Sequence, residues 1–212
     1  MVARHVCLVV FFTLTTASSQ FLAIVYAQEN LSIDASPPAN SKSITLNNGS
    51  QDAFNQLEFT DDVRRIYLRN CDIDDTSLKR LEGLKQLQYL SLEGSKINGE
   101  GLAVLKSLPA LKFLSLSGTK ITDESLEHLI GLKKLTILQV DDTLVSDKGI
   151  AKLTSLARME WLYLNRTQVT DESMQCLGKL RGLRFLSLLG TSVTDTGVDE
   201  LHAMVPSVRV RR

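Results

Sequence analysis

Residues 108–131 read LPALKFLSLSGTKITDESLEHLIG, and this stretch of 24 residues decides the fold. Leucine stands at positions 84, 108, 132, 156 and 180, so the same stretch returns with a constant step of 24 residues. A fixed period of this length is the signature of a solenoid, in which each unit covers the core of its neighbour. The spacing therefore predicts a stack of similar units.

Each unit changes its hydrophobic period along its length. Leu114 and Leu116 alternate with Ser115, which is the pattern of a short strand with one buried face. Further on, Leu126 and Leu129 are three residues apart, which is the spacing of one helix face. The pattern predicts a strand, a turn and a helix of about two turns, repeated six times along the chain.

Two columns of polar residues mark the start of the predicted helices. The first column consists of side chains that can cap a helix N-terminus, namely Asp74, Asn98, Thr122, Ser146, Thr170 and Thr194. The next position carries Asp75, Asp123, Asp147, Asp171 and Asp195, with Gly99 as the exception. Carboxylates at this position favour the positive end of the helix dipole. We therefore assign both columns to structure.

A third column follows each strand. It contains small residues with a hydroxyl or thiol group, at Cys71, Ser95, Thr119, Thr143, Thr167 and Thr191. We expect these side chains to be buried and to satisfy backbone groups near the turn.

The whole pattern, from about residue 60 to residue 204, resembles the leucine-rich repeat. Its T-x-[IV]-T-D form is similar to the 24-residue repeats of exported bacterial proteins, and it is related to the cysteine-type repeats of F-box adaptors. The resemblance implies an α/β solenoid of about six repeats plus caps. A parallel sheet would line the concave side and short helices the convex side.

The two ends of the chain depart from the repeat. Residues 1–27 resemble a signal peptide that ends at Val25-Tyr26-Ala27, and an uncleaved N-terminal membrane anchor is the alternative. Residues 28–43 are polar with a proline pair and predict a disordered linker. We expect a capping segment over 44–59, six repeats over 60–203 and a C-terminal cap over 204–212. The sequence therefore predicts an exported protein, periplasmic or extracellular.

Composition and charge favour no nucleic acid and no anionic membrane surface as partner. The chain has 24 basic and 24 acidic residues, and removal of residues 1–27 would take away one arginine and leave a net charge of −1.

Cys71 and Cys176 lie four repeats apart, about 19 Å along the sheet axis, which is too far for a disulfide. The C-terminal arginines suit an edge strand that closes the solenoid, with contact to a partner or membrane as the alternative.

Catalytic and metal-binding patterns are weak. His128 and His202 lie about three repeats apart, and no serine stands in a position that argues for a nucleophile–base pair. The aspartate clusters at 72–75 and 141–147 lack the spacing of a calcium loop. We therefore expect no catalytic residue, no cofactor and no metal site.

The outward-facing strand positions are the candidate binding surface. They combine aromatic side chains with polar and charged ones, and aromatic residues on a rigid scaffold commonly anchor protein partners. The candidate ligand-binding residues are Tyr89, Phe113, Gln139, Asp141, Trp161, Tyr163, Asn165, Arg166 and Phe185. The same column could instead pack against its neighbours or lie beneath the N-terminal segment.

The leading hypothesis is a non-catalytic, exported binding module that recognises a protein or another extracytoplasmic ligand through its concave face. The alternative is a substrate-recruiting adaptor like the F-box leucine-rich repeat proteins of ubiquitin ligases. The signal-like N-terminus opposes that alternative, as does the short stretch ahead of the repeats, which is too small for an F-box. A purely structural envelope protein also fits the repeats.

Overall fold

The computed structural model describes residues 42–212. Eight strands form one parallel sheet in the order of the chain. They are β1 (Lys42–Asn47), β2 (Val63–Arg69), β3 (Tyr89–Ser91), β4 (Phe113–Ser115), β5 (Ile137–Gln139), β6 (Trp161–Tyr163), β7 (Phe185–Ser187) and β8 (Arg209–Arg211). The expected solenoid with a parallel sheet is confirmed.

The register of the sheet follows the repeat. Leu90 of β3 pairs with Leu114 of β4, and Leu114 pairs with Leu138 of β5, so paired residues are 24 apart. Because side chains alternate between the two faces of a strand, the second residue of each three-residue strand points into the leucine core. These core positions are completely buried from β3 to β7, and Val210 of β8 is partly buried. We call the opposite face of the sheet the concave face.

Short helical segments return the chain to the start of each next strand. Four are α-helical, at Gln51–Asn55, Asp147–Lys152, Met174–Leu177 and Asp195–Met204. Five are 3₁₀-helical, at Asp75–Leu81, Glu100–Ser107, Glu124–Leu129, Leu153–Ser155 and Asp171–Ser173. The first three repeats thus form the predicted short helix as 3₁₀ helix, which rises about 2.0 Å per residue.

A short helix forms the N-terminal end of the described solenoid. Ser50 caps the helix Gln51–Asn55 by accepting a hydrogen bond from the Ala53 amide at 3.2 Å. Phe54 is completely buried and covers the first leucine layer. Most of the predicted linker 28–43 lies outside the described residues, but its last two residues already belong to β1. Pairing with the longer strand β2 extends β1 to Lys42.

The C-terminal cap is strand β8, which pairs with β7 and leaves Arg209 and Arg211 exposed. The Leu188 amide donates to the Arg211 carbonyl at 2.7 Å, so the last complete repeat has a partner. Val208 is buried against the core. The edge strand β8 carries alternating exposed arginines, and such charges discourage further strand addition.

A left-handed turn follows every strand from β1 to β7. Glycine occupies this position after β3, β4 and β7, as at Gly118 with φ 68°. The other turns use Asn48, Asn70, Asp142 and Arg166, with φ between 51° and 55°. Asparagine and aspartate adopt this conformation more readily than other residues with a Cβ, whereas an arginine there is strained. Arg166 is therefore the one unfavourable member among the described turns.

Candidate functional site

The first residue of each middle strand projects from the concave face. Five such residues stand side by side in the sheet and form an apolar column, which we call the concave column: Tyr89, Phe113, Ile137, Trp161 and Phe185. Together with Tyr67 and Tyr163 they make a second hydrophobic cluster, separate from the leucine core. The sheet thus carries apolar side chains on both faces.

The rings of the concave column contact one another across strands. Tyr89 stacks on Phe113 with centroids 6.2 Å apart. Phe185 contacts both Trp161 at 5.3 Å and Tyr163 at 5.4 Å. Ring distances in this range give favourable aromatic pairs in addition to burial. Trp161, Tyr163 and Phe185, all predicted binding residues, are therefore brought together at one end of the face.

The column is deeply buried. Trp161 and Phe185 are each 1% exposed, Tyr89 is 2% exposed, Phe113 5% and Tyr163 8%. Gln139, on β5 beside Tyr163, is half-buried. Burial also raises the pKa of the Tyr67 phenol at the start of the face. The predicted residues are therefore placed on one surface, with their aromatic members withdrawn from solvent.

Two of the predicted polar residues connect neighbouring repeats. The Asp141 carboxylate accepts the Asn165 amide at 2.8 Å and the Ser117 hydroxyl at 3.3 Å. The Asn165 side-chain oxygen in turn accepts the Leu189 amide at 2.8 Å and the Ser187 hydroxyl at 2.6 Å. Burial raises the pKa of Asp141 above its ordinary value, although these hydrogen bonds oppose the shift. Both side chains thus satisfy backbone groups at the edge of the concave column.

Arg166 lies on the surface beside this edge. Its guanidinium binds Asp142 of the preceding repeat through two nitrogens, one of them at 2.6 Å from the carboxylate. The pair is well exposed, so solvent screening leaves it little weight in stability. The hydrogen bond from Arg166 lowers the pKa of Asp142, and the same contact raises the pKa of Arg166. Arg166 therefore offers a charged rim to the concave face.

Comparison with known proteins agrees with this arrangement. A family model described as "Leucine-rich repeat region" matches residues 40–207. The chain belongs to the leucine-rich repeat family. Leucine-rich repeat proteins commonly bind protein partners and are typically non-enzymatic. A search of curated proteins gives no significant match to this chain.

Solved leucine-rich repeat structures share the fold at low sequence identity. An internalin (inlF) from Listeria monocytogenes is 24% identical with a TM-score of 0.62, over 80% of this chain and 46% of its own. Internalin C2 from the same organism is 22% identical with a TM-score of 0.62, over 79% of this chain and 69% of its own. RP105 in the mouse RP105/MD-1 complex is 20% identical with a TM-score of 0.55, over 76% of this chain and 27% of its own. The chain thus spans less than half of the first internalin.

The aspartates after the cap positions do something that the sequence reasoning missed. Asp147 accepts hydrogen bonds from the Thr170 amide at 2.9 Å, the Thr170 hydroxyl at 2.8 Å and the Ser173 hydroxyl. Asp123 contacts Ser146 in the same way, at 2.7 Å to its amide and 2.6 Å to its hydroxyl. Each carboxylate therefore joins one leucine-rich repeat to the next, and the strict 24-residue recurrence was the signal for it.

The other two polar columns are structural, with differences in detail. Five of the six predicted cap residues accept a backbone hydrogen bond at a helix start, namely Asp74, Asn98, Ser146, Thr170 and Thr194. Thr122 does not, and its hydroxyl donates to the Glu124 carboxylate at 2.6 Å.

In the column after the strands, the four threonine hydroxyls donate to the carbonyl three residues before them, as Thr119 does to Leu116 at 2.5 Å. Cys71 contacts the Leu46 carbonyl of strand β1, and the buried Ser95 hydroxyl has no hydrogen-bond partner among the described residues.

The histidines, cysteines and acidic residues that could carry chemistry do not form a cluster among the described residues. Within residues 42–212, no group of three or more histidine, cysteine, aspartate or glutamate residues is placed to hold a metal ion. His128 lies on the segment Glu124–Leu129, and His202 lies on Asp195–Met204, where its ring contacts the Val208 carbonyl at 3.0 Å. Cys71 and Cys176 do not form a disulfide with each other. Among the described residues no helix has the length and apolarity to cross a membrane.

Proposed function

We propose that the chain is an exported, non-catalytic binding module that recognises a protein partner through its concave face. The observation that carries this proposal is the concave column, a row of apolar side chains outside the leucine core. A parallel sheet of this type needs apolar residues on its core face, and aromatic side chains on the other face as well have the composition of the anchors in protein interfaces.

Three further points support the proposal. Aromatic residues with a polar rim are the composition of protein interfaces, and here Gln139 and Arg166 supply polar groups beside the rings. The mouse structure is a complex of RP105 with MD-1, so one protein of this fold is known to hold a protein partner. Export is proposed from the signal-like residues 1–27, which lie outside the described residues.

The repeat itself suggests substitutions that should leave the fold intact. The position of Tyr163 is serine in the adjacent strand β7, at Ser187, and also at Ser115 of β4. Tyr163→Ser therefore introduces a residue that this register already accommodates. Leu144 is 55% exposed and lies outside the concave column, so Leu144→Ser is a matched control.

The test has two stages. Cross-linking mass spectrometry in the native host first identifies the protein that contacts the chain, and titration of that purified protein then measures its affinity. We expect Tyr163→Ser to weaken binding at least about tenfold, because a buried aromatic anchor commonly contributes 2 kcal/mol or more. Leu144→Ser should leave affinity unchanged. Equal affinities of the wild type and both variants would contradict recognition by this face.

A further inference from the structure

The two sides of the sheet, where the strands begin and where they end, carry opposite charge. The five residues before each strand from β3 to β7 contain seven basic residues and one acidic residue. The eight residues after each of these strands contain seven acidic residues and three basic ones. Because the strands are parallel and in register, each set lies along one side of the solenoid. The whole chain has balanced charge, but its charges are separated between these two sides.

The basic residues before the strands form a line of exposed cations, which we call the basic row. Its members, all exposed, are Lys85, Lys112, Lys133, Lys134, Arg158, Arg181 and Arg184. Neighbouring strands lie about 4.8 Å apart, so the four steps from β3 to β7 extend the row over roughly 19 Å. The row therefore has the form of a line along the solenoid rather than a round patch.

Most of the basic row has no carboxylate partner. Arg184 lies 3.6 Å from Glu160, which is the single acidic residue of the same segments. The other six members form no ion pair with a carboxylate of residues 42–212. On the opposite side of the sheet, in contrast, Arg166 is paired with Asp142. Cations without partners raise the local positive potential, which attracts an anionic ligand.

We propose that the basic row binds a linear anionic polysaccharide, whose sulfate or carboxylate groups pair with successive members of the row. A flexible polymer with many anionic groups can follow the line from Lys85 to Arg184 and neutralise several cations at once. The exposed Gln86 amide stands next to Lys85 and can donate hydrogen bonds to sugar hydroxyls. The basic row shares no residue with the concave column, so this proposal does not depend on the proposed protein partner.

The surroundings of the basic row favour a polysaccharide over other anionic polymers and surfaces. Single-stranded nucleic acid is held by aromatic side chains on which the bases stack, and no phenylalanine, tyrosine or tryptophan of residues 42–212 is exposed. A membrane surface is bound by several apolar side chains that insert beside the cations. In this part of the chain the exposed large hydrophobic residues are Ile130 and Leu144, and Leu144 follows β5, on the acidic side. A sulfated or carboxylated polysaccharide is held mainly by charge and requires neither feature.

The test measures the affinity of the full chain for dextran sulfate by isothermal titration calorimetry, with uncharged dextran as the control ligand. The triple variant Lys112→Gln, Lys133→Gln and Lys134→Gln removes three charges from the middle of the row. We expect it to weaken binding at least about tenfold, because each paired cation contributes to affinity through the release of counterions. The slope of log affinity against log salt should also become less steep by roughly two to three. Uncharged dextran should not bind.

A matched variant separates the basic row from the total charge of the chain. Lys79→Gln, Lys120→Gln and Lys148→Gln together remove the same number of exposed charges outside the row. This variant should bind dextran sulfate as the wild type does. Both triple variants should keep the urea midpoint of the wild type, since none of the six lysines forms an ion pair among the described residues.

Four results would overturn the proposal. Equal weakening by the two triple variants would show that dextran sulfate responds to net charge alone. Binding of uncharged dextran as tightly as dextran sulfate would remove the role of the cations. Binding to phosphatidylserine vesicles or duplex DNA that depends on the row, without binding to dextran sulfate, would assign the row to another class of anion. Weaker dextran sulfate binding by Tyr163→Ser, with the row variant unaffected, would place the polysaccharide on the concave face.

Discussion

The pKa values of two aspartates, Asp171 and Asp141, are shifted in opposite directions, although the sequence shows both only as acidic residues. Asp171 accepts the Thr194 amide at 2.7 Å and the Thr194 hydroxyl at 2.6 Å, and these hydrogen bonds lower its pKa below the ordinary 3.8. Asp141 is half-buried at the edge of the concave column, and desolvation raises its pKa above 3.8. The first carboxylate stabilises the fold when charged, whereas the second is more favourable when protonated.

We therefore expect Asp171→Asn and Asp141→Asn to change the pH dependence of stability in opposite directions. Because the folded pKa of Asp171 is lowered, its contribution is fully present above pH 3.8 and is lost as pH falls through the folded value. Asp171→Asn should lower the urea midpoint at neutral pH, and this difference should shrink toward the acid limit. Urea unfolding across the acid range measures both effects.

For Asp141 the sign is reversed. Its charged form costs stability above the raised folded pKa, and the cost disappears as pH falls to 3.8. Asp141→Asn should keep the acceptor for the Asn165 amide and be at least as stable as the wild type at neutral pH. Parallel pH profiles for both variants would contradict the assignment of these two environments.

The sequence predicted where these aspartates lie but not all that they bind. Register along the chain identifies residues at the same level of successive repeats, and it correctly placed the leucines in the core. It does not say whether a carboxylate turns toward its own helix or toward the next repeat. The position of Asp147 at a helix N-terminus already accounted for its carboxylate. Its own repeat therefore gave no reason to predict the hydrogen bond from the Thr170 amide.

Helical segments are held together by a column of small residues. The third position after each cap residue alternates between serine and glycine along the solenoid: Ser77, Gly101, Ser125, Gly149, Ser173 and Gly197. Four of the six, Gly101, Gly149, Ser173 and Gly197, lie against the aspartate of the preceding repeat. At Ser173 the hydroxyl donates to Asp147. At Gly149 an added Cβ would collide with the Asp123 carboxylate. The small side chain is thus what allows the carboxylate to approach the next helix.

Gly149→Ala should therefore destabilise the protein, against the usual rule for helices. In an open helix interior, alanine is more favourable than glycine by about 1 kcal/mol. Here the new methyl group would displace Asp123 from Ser146, whose amide it holds at 2.7 Å. We expect a loss of about 1–3 kcal/mol in the free energy of unfolding, which is the cost of leaving such groups unsatisfied. Urea denaturation provides the measurement.

Gly131→Ala is the control for this prediction. A Cβ at Gly131 would have no heavy atom within 4 Å, and its φ lies outside the left-handed region. That variant should be neutral or slightly more stable, because alanine restricts the unfolded chain. Equal stability of Gly149→Ala and Gly131→Ala would show that the contact between Asp123 and Ser146 does not contribute to the free energy of unfolding.

At the scale of the whole molecule, one continuous core runs from the N-terminal cap to β8. Phe54 closes its first layer, and its ring lies 5.7 Å from Phe59 and 5.2 Å from the Arg80 guanidinium carbon. Arg80 also donates to the Leu57 carbonyl at 2.8 Å, which fixes the cap on the first repeat. Each repeat contacts its immediate neighbours, so the stability of distant repeats depends on every layer between them.

Phe54→Ala should lower the stability of the entire solenoid. Truncation of a buried phenylalanine costs about 3–5 kcal/mol. We expect the urea midpoint to fall by the same amount whether it is followed by far-ultraviolet circular dichroism or by Trp161 fluorescence, four strands away from the first repeat. An unchanged Trp161 midpoint with an early loss of circular dichroism would show instead that the repeats unfold separately.

The sequence predicted the fold more completely than the site. A repeated period fixes strands, faces and neighbours, so Trp161 and Tyr163 could be placed side by side from the register. The depth of their burial could not be predicted, because the register gives the face on which a side chain lies and not how closely other atoms pack around it. The sequence predicted a short helix in each repeat, whereas the choice between 3₁₀ and α form depends on stacking against neighbours as well as on local preference.

Gly99 interrupts the carboxylate contacts at a single junction among the described repeats. Asp75, Asp123, Asp147 and Asp171 each bind the repeat that follows, whereas at Gly99 the next repeat is reached through Ser125, whose hydroxyl donates to the Asn98 carbonyl at 3.2 Å. Under a pulling force, a solenoid separates first at the junction with the weakest contacts between repeats. If the solenoid were pulled from its two ends, we expect the fracture to begin between the repeats that contain Gly99 and Ser125.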